Sequence, residues 1–268
     1  MNRDRKALLV VSFGTSYTEA IESCIEPVEA AITKEASGFD VFRAFTSEMI
    51  INKLKKVSHI SVCTPMEALE YLADQGYGVI AVQPTHILAG TEYHDLVKDV
   101  EKFSVSHGDI QVSMGQPLLF ENEDYEQVAQ ALGKWMPKTG NNEVVLLMGH
   151  GTEHFSNSSY FALQHYLDKL TTRAVYVANV EAPPVLEEVM AKMKAQGVTK
   201  VYLLPFMLVA GDHARNDMAG DDEDSWYHRL TEYGFEVEII LHGLGESRDF
   251  CCLYARKAAA LVHTDNRT

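Results

Sequence analysis

The chain has 268 residues, 46% of them hydrophobic and 23% charged, the balance of a water-soluble globular protein with room for a large core in one big domain or two smaller ones. A formal charge of −15 and a pI near 5.1 exclude the basic surface that nucleic acid requires, and no run approaches the roughly eighteen apolar residues of a membrane span. The four cysteines, Cys24, Cys63, Cys251 and Cys252, form no C-x-x-C pair and read as reduced thiols of a soluble, cytoplasmic protein.

Short apolar runs recur along the chain at 6–13 (KALLVVSF), 40–45 (DVFRAF), 78–84 (GVIAVQP), 143–148 (EVVLLM), 173–179 (RAVYVAN), 200–206 (KVYLLPF) and 235–241 (FEVEIIL). Each is rich in Val, Ile, Leu and aromatic residues and apolar on both faces, as strands covered by helices on both sides should be. Helical patterns lie between them. Thr64-Pro65-Met66-Glu67 has the form of a capping box with Pro at the first helical position. The segment PPVLEEVMAKMKAQG, 183–197, opens on Pro and closes on Gly, the punctuation of a helix. Strand alternating with helix predicts parallel sheets and an α/β architecture.

The chain also repeats itself. LLVVSFGTS from Leu8 matches VLLMGHGTE from Val145, placing Gly14 on Gly151 at an offset of 137. DVFRAFTSE matches AVYVANVEA, with Val41 on Val175. VIAVQPTHILAGTEYHD matches VYLLPFMLVAGDHARND, placing Pro84 on Pro205 and Glu92 on His213 at an offset of 121. Three landmarks in the same order predict two similar Rossmann-like lobes, 1–138 and 139–268, joined around Pro137–Asn142 (PKTGNN). Open parallel sheets bind ligands beyond the carboxyl ends of their strands, so each landmark loop is expected to face a cleft between the lobes.

Superposing the halves isolates the candidate chemistry. The second half carries His150 where the first has Phe13, Glu181 near the position of Ser47, and His213 where the first has Glu92. Two imidazoles and a carboxylate suit a borderline-soft divalent ion such as Co(II), Fe(II), Ni(II) or Zn(II) better than Mg(II). Plainer roles are open for each. His150 could hydrogen-bond a loop carbonyl, His213 could start a helix capped by Asp212, and Glu181 could sit in a first helical turn favoured by the dipole. His86 and His94 are ambiguous. There is no G-x-S-x-G elbow, no P-loop and no complete dinucleotide fingerprint.

The blocks S-F-G-T-S, T-H-I-L-A-G-T-E-Y, G-H-G-T and P-F-M-L-V-A-G-D-H-A-x-N-D-M-A-G together resemble the anaerobic cobalt chelatases of the CbiK type, in the class II chelatase superfamily. The resemblance covers nearly the whole chain. It implies a two-lobed chelatase-like fold and insertion of Co(II) into sirohydrochlorin, or a related precorrin, on the oxygen-independent route to cobalamin. Fe(II) insertion for sirohaem is the neighbouring enzymatic reading, and a non-catalytic tetrapyrrole or metal carrier the alternative from another class. By resemblance His150 is proton acceptor and metal ligand, His213 the second histidine, Glu181 the metal-binding carboxylate, and Glu92 an acidic catalytic residue facing the cleft from the opposite lobe. The ion is a substrate and no organic cofactor is expected. The partner is a small tetrapyrrole, with neither nucleic acid nor membrane, and a homo-oligomer is compatible with the reading. The substrate's eight carboxylates meet an acidic chain, so local donors must offset long-range repulsion. Arg43, Lys53 and Arg215 are candidates.

Overall fold

In the computed structural model, which describes residues 4–172 and 174–264, the chain divides into two compact units, 1–120 with 248–268 and 121–247. Unit 1 opens with β1 (Arg5–Ser12), then α1 (Thr18–Ala20), which passes through a π-helical turn at Ile21–Ile25 into α2 (Glu26–Glu35). It continues with β2 (Asp40–Phe45), α3 (Glu48–Val57), α4 (Pro65–Asp74), β3 (Tyr77–Pro84), α5 (Thr91–Ser106) and β4 (Gln111–Met114). Unit 2 holds α6 (Asn122–Trp135), β5 (Glu143–Gly149), α7 (Ser158–Leu170), β6 (Val175–Asn179), α8 (Leu186–Ala195), β7 (Lys200–Pro205), α9 (Trp226–Glu232) and β8 (Glu236–Ile239). The last helix, α10 (Arg248–Thr264), belongs to unit 1.

Each unit is built on a four-stranded parallel sheet, of order β2-β1-β3-β4 in the first and β6-β5-β7-β8 in the second. The internal repeat is therefore structural. The central strands are the most apolar because helices cover both of their faces. Ala7–Val11 of β1 and Val144–Met148 of β5 are at most 1% exposed, and burying each Val, Leu or Met side chain among them contributes roughly 1.5–3 kcal/mol. The edge strands β4 and β8 are only partly covered. In QVSM of β4 the strand signal is short and half polar, so the hydrophobic pattern passed over it. The strand expected at 235–241 ends at Ile239, and Arg173, at the start of another expected strand, lies outside the described residues.

Local signals were realised with two exceptions. The capping box forms, with Glu67 N–H donating to Thr64 Oγ1 at 3.3 Å and Thr64 N–H to Glu67 Oε2 at 2.9 Å. The helix expected from Pro183 instead begins at Leu186. The Pro183 and Pro184 carbonyls are engaged with Asn179, whose backbone N–H donates to Pro184 O at 2.8 Å and whose Nδ2 donates to Pro183 O at 3.1 Å. Glu181 therefore lies in a loop, and the helix-dipole account of it falls. The lobe boundary at 138/139 is also displaced. PKTGNN merely connects α6 to β5 within unit 2, where α6 packs on α7 and Tyr125 Oη bonds Ser159 Oγ at 2.8 Å. The chain end packs back on α2, and Tyr254 Oη, fully buried in α10, donates to Thr85 O at 2.9 Å. A polar, Gly-containing stretch marks a surface connection of any kind, so composition alone misplaced the division. All four cysteines are free, and no helix among the described residues is long and apolar enough to cross a membrane.

Candidate metal centre

The centre is built where β5, β6 and β7 end. The hydrogen-bond ladder between β5 and β6 runs on past the strands: Val180 N–H donates to Gly149 O at 3.1 Å and Glu181 N–H to His150 O at 2.9 Å. On the other side Phe206 N–H donates to Met148 O at 2.8 Å. His150 and Glu181 thus hang from neighbouring positions locked in register. The two glycines framing His150 are dictated by this close approach. A Cβ on Gly149 would lie 2.3 Å from Asn179 Oδ1 and 2.5 Å from the Tyr160 ring. Gly151 has φ +82, and its Cβ would fall 2.8 Å from Ala182 N, so both the backbone conformation and the space require glycine.

Unit 1 builds the same turn with other side chains. Gly14 has φ +97, Thr46 N–H donates to Ser12 O at 2.9 Å, and Ser47 N–H donates to Phe13 O at 3.3 Å. Phe13 and Ser47 stand there in the places of His150 and Glu181. The turn therefore does not need a histidine, and the second unit's pair has another reason to exist. His213 opens a π-helical turn, His213–Met218, pinned to the core of unit 2 by buried Ala214 and Met218. The preceding loop is held by Leu244 N–H to Met207 O at 2.9 Å and Gly245 N–H to Leu208 O at 3.0 Å. Asp212 stands at the N-cap position of the turn, but its side chain makes no capping bond there.

Three residues far apart in sequence meet here. One donor atom from each of His150, Glu181 and His213 lies within 4.8 Å of the others. His150 Nδ1 is 3.7 Å from Glu181 Oε2, and the imidazoles meet edge-on, with centroids 4.6 Å apart at 89°. Ligands on a tetrahedral ion with bonds of ~2.1 Å lie roughly 3.4 Å apart, so small side-chain rotations would close this set around a cation. Their side chains are 46%, 54% and 39% exposed respectively. Both rings are held from the Nδ1 side. His150 Nδ1 contacts Gly151 O at 2.8 Å, and His213 Nδ1 contacts Asp217 Oδ2 at 2.5 Å. A carbonyl or carboxylate oxygen only accepts, so each contact puts the proton on Nδ1 and leaves Nε2 as the lone-pair nitrogen. The carbonyl bond foreseen as the plain role of His150 thus exists and is compatible with ligation. The sequence reading did not single out Asp217, although its spacing of four residues from His213 was the available signal.

The other candidates lie outside this donor set. Glu92 lies in unit 1, exposed in the first turn of α5. Both ring nitrogens of His86, also in unit 1, are sealed from solvent with no hydrogen-bond partner among the described residues, and this burial lowers its pKa to about 4. Among the proposed carboxylate binders, Arg43 is engaged within its own unit: Nε donates to Glu29 Oε1 at 2.7 Å, and Glu26 lies 3.6 Å away. Lys53 sits 5.6 Å from the centre of the Tyr17 ring, and Arg215 Nε donates to Ala210 O at 3.2 Å.

The family model described as cobalt chelatase (CbiK) matches residues 6–262. A sirohydrochlorin cobaltochelatase of Salmonella typhimurium (strain LT2) is 42% identical over 243 residues, 91% of each chain. The sirohydrochlorin cobaltochelatase CbiKC of Nitratidesulfovibrio vulgaris (strain Hildenborough) is 31% identical over 96% of this chain and 91% of its own. Among solved structures, SirB of Bacillus subtilis with Fe3+ superposes with a TM-score of 0.70 at 14% identity over 98% of both chains, a likeness of fold. Model and relatives extend over nearly the whole sequence, and the chain belongs to the cobalt chelatase (CbiK) family.

Proposed function

We propose that the chain is a sirohydrochlorin cobaltochelatase that takes Co(II) at His150, Glu181 and His213 and inserts it into the tetrapyrrole. The observation that carries the residue assignment is the convergence of those three donor atoms within 4.8 Å. The substrate assignment draws on the activity of the two cobaltochelatase relatives. The four free cysteines suit a reducing, cytoplasmic setting.

The donor set fits a substrate ion. Two neutral imidazoles and one carboxylate leave a dication with a net positive charge, so it is held yet remains exchangeable, and the exposed site keeps coordination positions open. Insertion requires two pyrrole N–H protons to leave as the metal sheds water. With its proton on Nδ1 and turned to Gly151 O, His150 has a single lone pair, on Nε2, which is released as the ion passes to the tetrapyrrole and is then suited to receive one of them. Glu181 supplies the negative charge that draws the cation to the mouth of β6. A role for Glu92 in proton uptake rests on the family resemblance.

The test is spectrophotometric. Purified protein with sirohydrochlorin and Co(II) should change the tetrapyrrole absorption faster than the protein-free control and over many turnovers, with Fe(II) run alongside. A single stoichiometric change without turnover would replace the enzyme by a carrier.

A further inference from the structure

His213 and Asp217 form a pair that the donor set alone does not require. They lie four residues apart on the π-helical turn, with His213 Nδ1 2.5 Å from Asp217 Oδ2. The turn is fixed from beneath by Ala214 and Met218, both fully buried, so the two polar side chains share the outward face of an anchored element. Neither is enclosed: His213 is 39% and Asp217 45% exposed. An exposed imidazole can turn about two bonds and carry its proton on either nitrogen. His150 has its ring held by the carbonyl of the next residue, whereas the His213 ring is held by the Asp217 carboxylate.

We infer that Asp217 is a positioning residue for the metal: its carboxylate fixes the proton of His213 on Nδ1 and the ring orientation, so that Nε2 is the nitrogen offered to Co(II). The inference rests on the metal-site reading above and extends it to a residue outside the donor set. A hydrogen-bonded carboxylate does three things for a metal-binding imidazole. It removes the competing tautomer, restrains the ring before the ion arrives, and makes the free nitrogen a stronger donor. The two imidazoles then differ in kind. His213 is the anchored ligand hydrogen-bonded to a carboxylate at 2.5 Å, and His150, hydrogen-bonded to a neutral carbonyl with the Glu181 carboxylate no nearer than 3.7 Å, is the weaker donor. A site that must hold an ion and then pass it on gains from that asymmetry.

A merely structural pair would act differently. An exposed i,i+4 ion pair stabilises its helix only slightly, and its loss would lower stability a little without touching metal affinity. The experiment compares Co(II) dissociation constants, by competition with a chromophoric chelator, for the wild type, Asp217→Ala, Asp217→Asn, His213→Ala and the His213→Ala/Asp217→Ala double variant. Loss of such a partner weakens metal binding by about 10–100-fold, and that range is expected for Asp217→Ala. Asp217→Asn, which still accepts from Nδ1–H, should recover part of it. In turnover, the apparent KM for Co(II) should rise in Asp217→Ala while that for the tetrapyrrole stays unchanged. The double variant should bind Co(II) no more weakly than His213→Ala. If His213→Ala weakens binding and Asp217→Ala stays within about twofold of wild type, or if the two losses add, Asp217 does not act through His213 and the inference fails alone. If His213→Ala itself leaves Co(II) affinity unchanged, the metal-site reading fails and the inference falls with it.

Discussion

Replacing Gly151 by alanine tests whether the loop that carries Glu181 is held by close backbone contact with the His150 turn. Two costs add. At φ +82 a side chain enters the left-handed region, at roughly 1–2 kcal/mol for a residue with a Cβ. That Cβ would also fall 2.8 Å from Ala182 N and 2.9 Å from Asn179 Cβ. Overpacking of this kind costs about 1–3 kcal/mol. The sum is about 2–5 kcal/mol, relieved only if the 179–182 loop retreats and takes Glu181 with it. Gly197 supplies the control. It has φ +76 in the same unit, but a Cβ there would meet nothing within 4 Å, so Gly197→Ala should cost only the conformational share, roughly 1–2 kcal/mol. The chain's two tryptophans, Trp135 and Trp226, both lie in unit 2, so urea unfolding followed by tryptophan fluorescence reports this unit for both variants. Gly151→Ala should be the less stable by at least about 1 kcal/mol, and it alone should lose Co(II) affinity. Equal destabilisation, or wild-type Co(II) binding by Gly151→Ala, would refute the close-approach account.

Other consequences can be measured separately. Unfolded, His86 takes up a proton below pH 6.5; in the fold it does so only near pH 4. Protons therefore favour the unfolded state across that interval. Unit 1 should keep this contribution above pH 6.5 and lose it as the pH falls toward 4, by up to about 3 kcal/mol. His86→Met, which installs the residue of the equivalent position Met207, should flatten the pH dependence of circular-dichroism melts; an unchanged slope would show that His86 is not the group responsible. Thr64→Ala removes the capping bond to Glu67 N–H and should destabilise unit 1 by about 1 kcal/mol in the same melts. Co(II) at a hundred times its dissociation constant should stabilise unit 2 by ~2.7 kcal/mol in the tryptophan-monitored transition. A chelator should reverse that gain, and His150→Ala should lack it at the same concentration.

Much of the candidate site was legible because the chain repeats. The second copy of the strand-to-Gly-Thr turn isolated His150, since Phe13 fills the same position in the first, and the same comparison set Ser47 against Glu181. The backbone bonds Ser47 N–H to Phe13 O and Glu181 N–H to His150 O confirm that this equivalence is physical. What was hidden depended on partners distant in sequence. Nothing in RDFCCLYARKAAALV says that α10 returns to α2, because an apolar helix face does not specify which unit covers it. The edge strand β4 gave too little apolar signal to register. Helix start rules misread Pro183-Pro184, whose carbonyls were taken up by Asn179 and Asn157. Asp217 was in view as part of H-A-R-N-D, but only the π-helical turn shows its carboxylate on His213.

The most direct test of the whole account is the steady-state rate of Co(II) insertion into sirohydrochlorin by His150→Ala, Glu181→Gln, His213→Ala and the His150→Ala/His213→Ala pair. If the three residues form one metal-handling unit, each single change should lower kcat/KM for Co(II) by at least about tenfold. The double change should then cost little more than the worse single one, the non-additivity expected of groups that act together. Wild-type rates in the single variants, or losses that simply multiply in the pair, would contradict it.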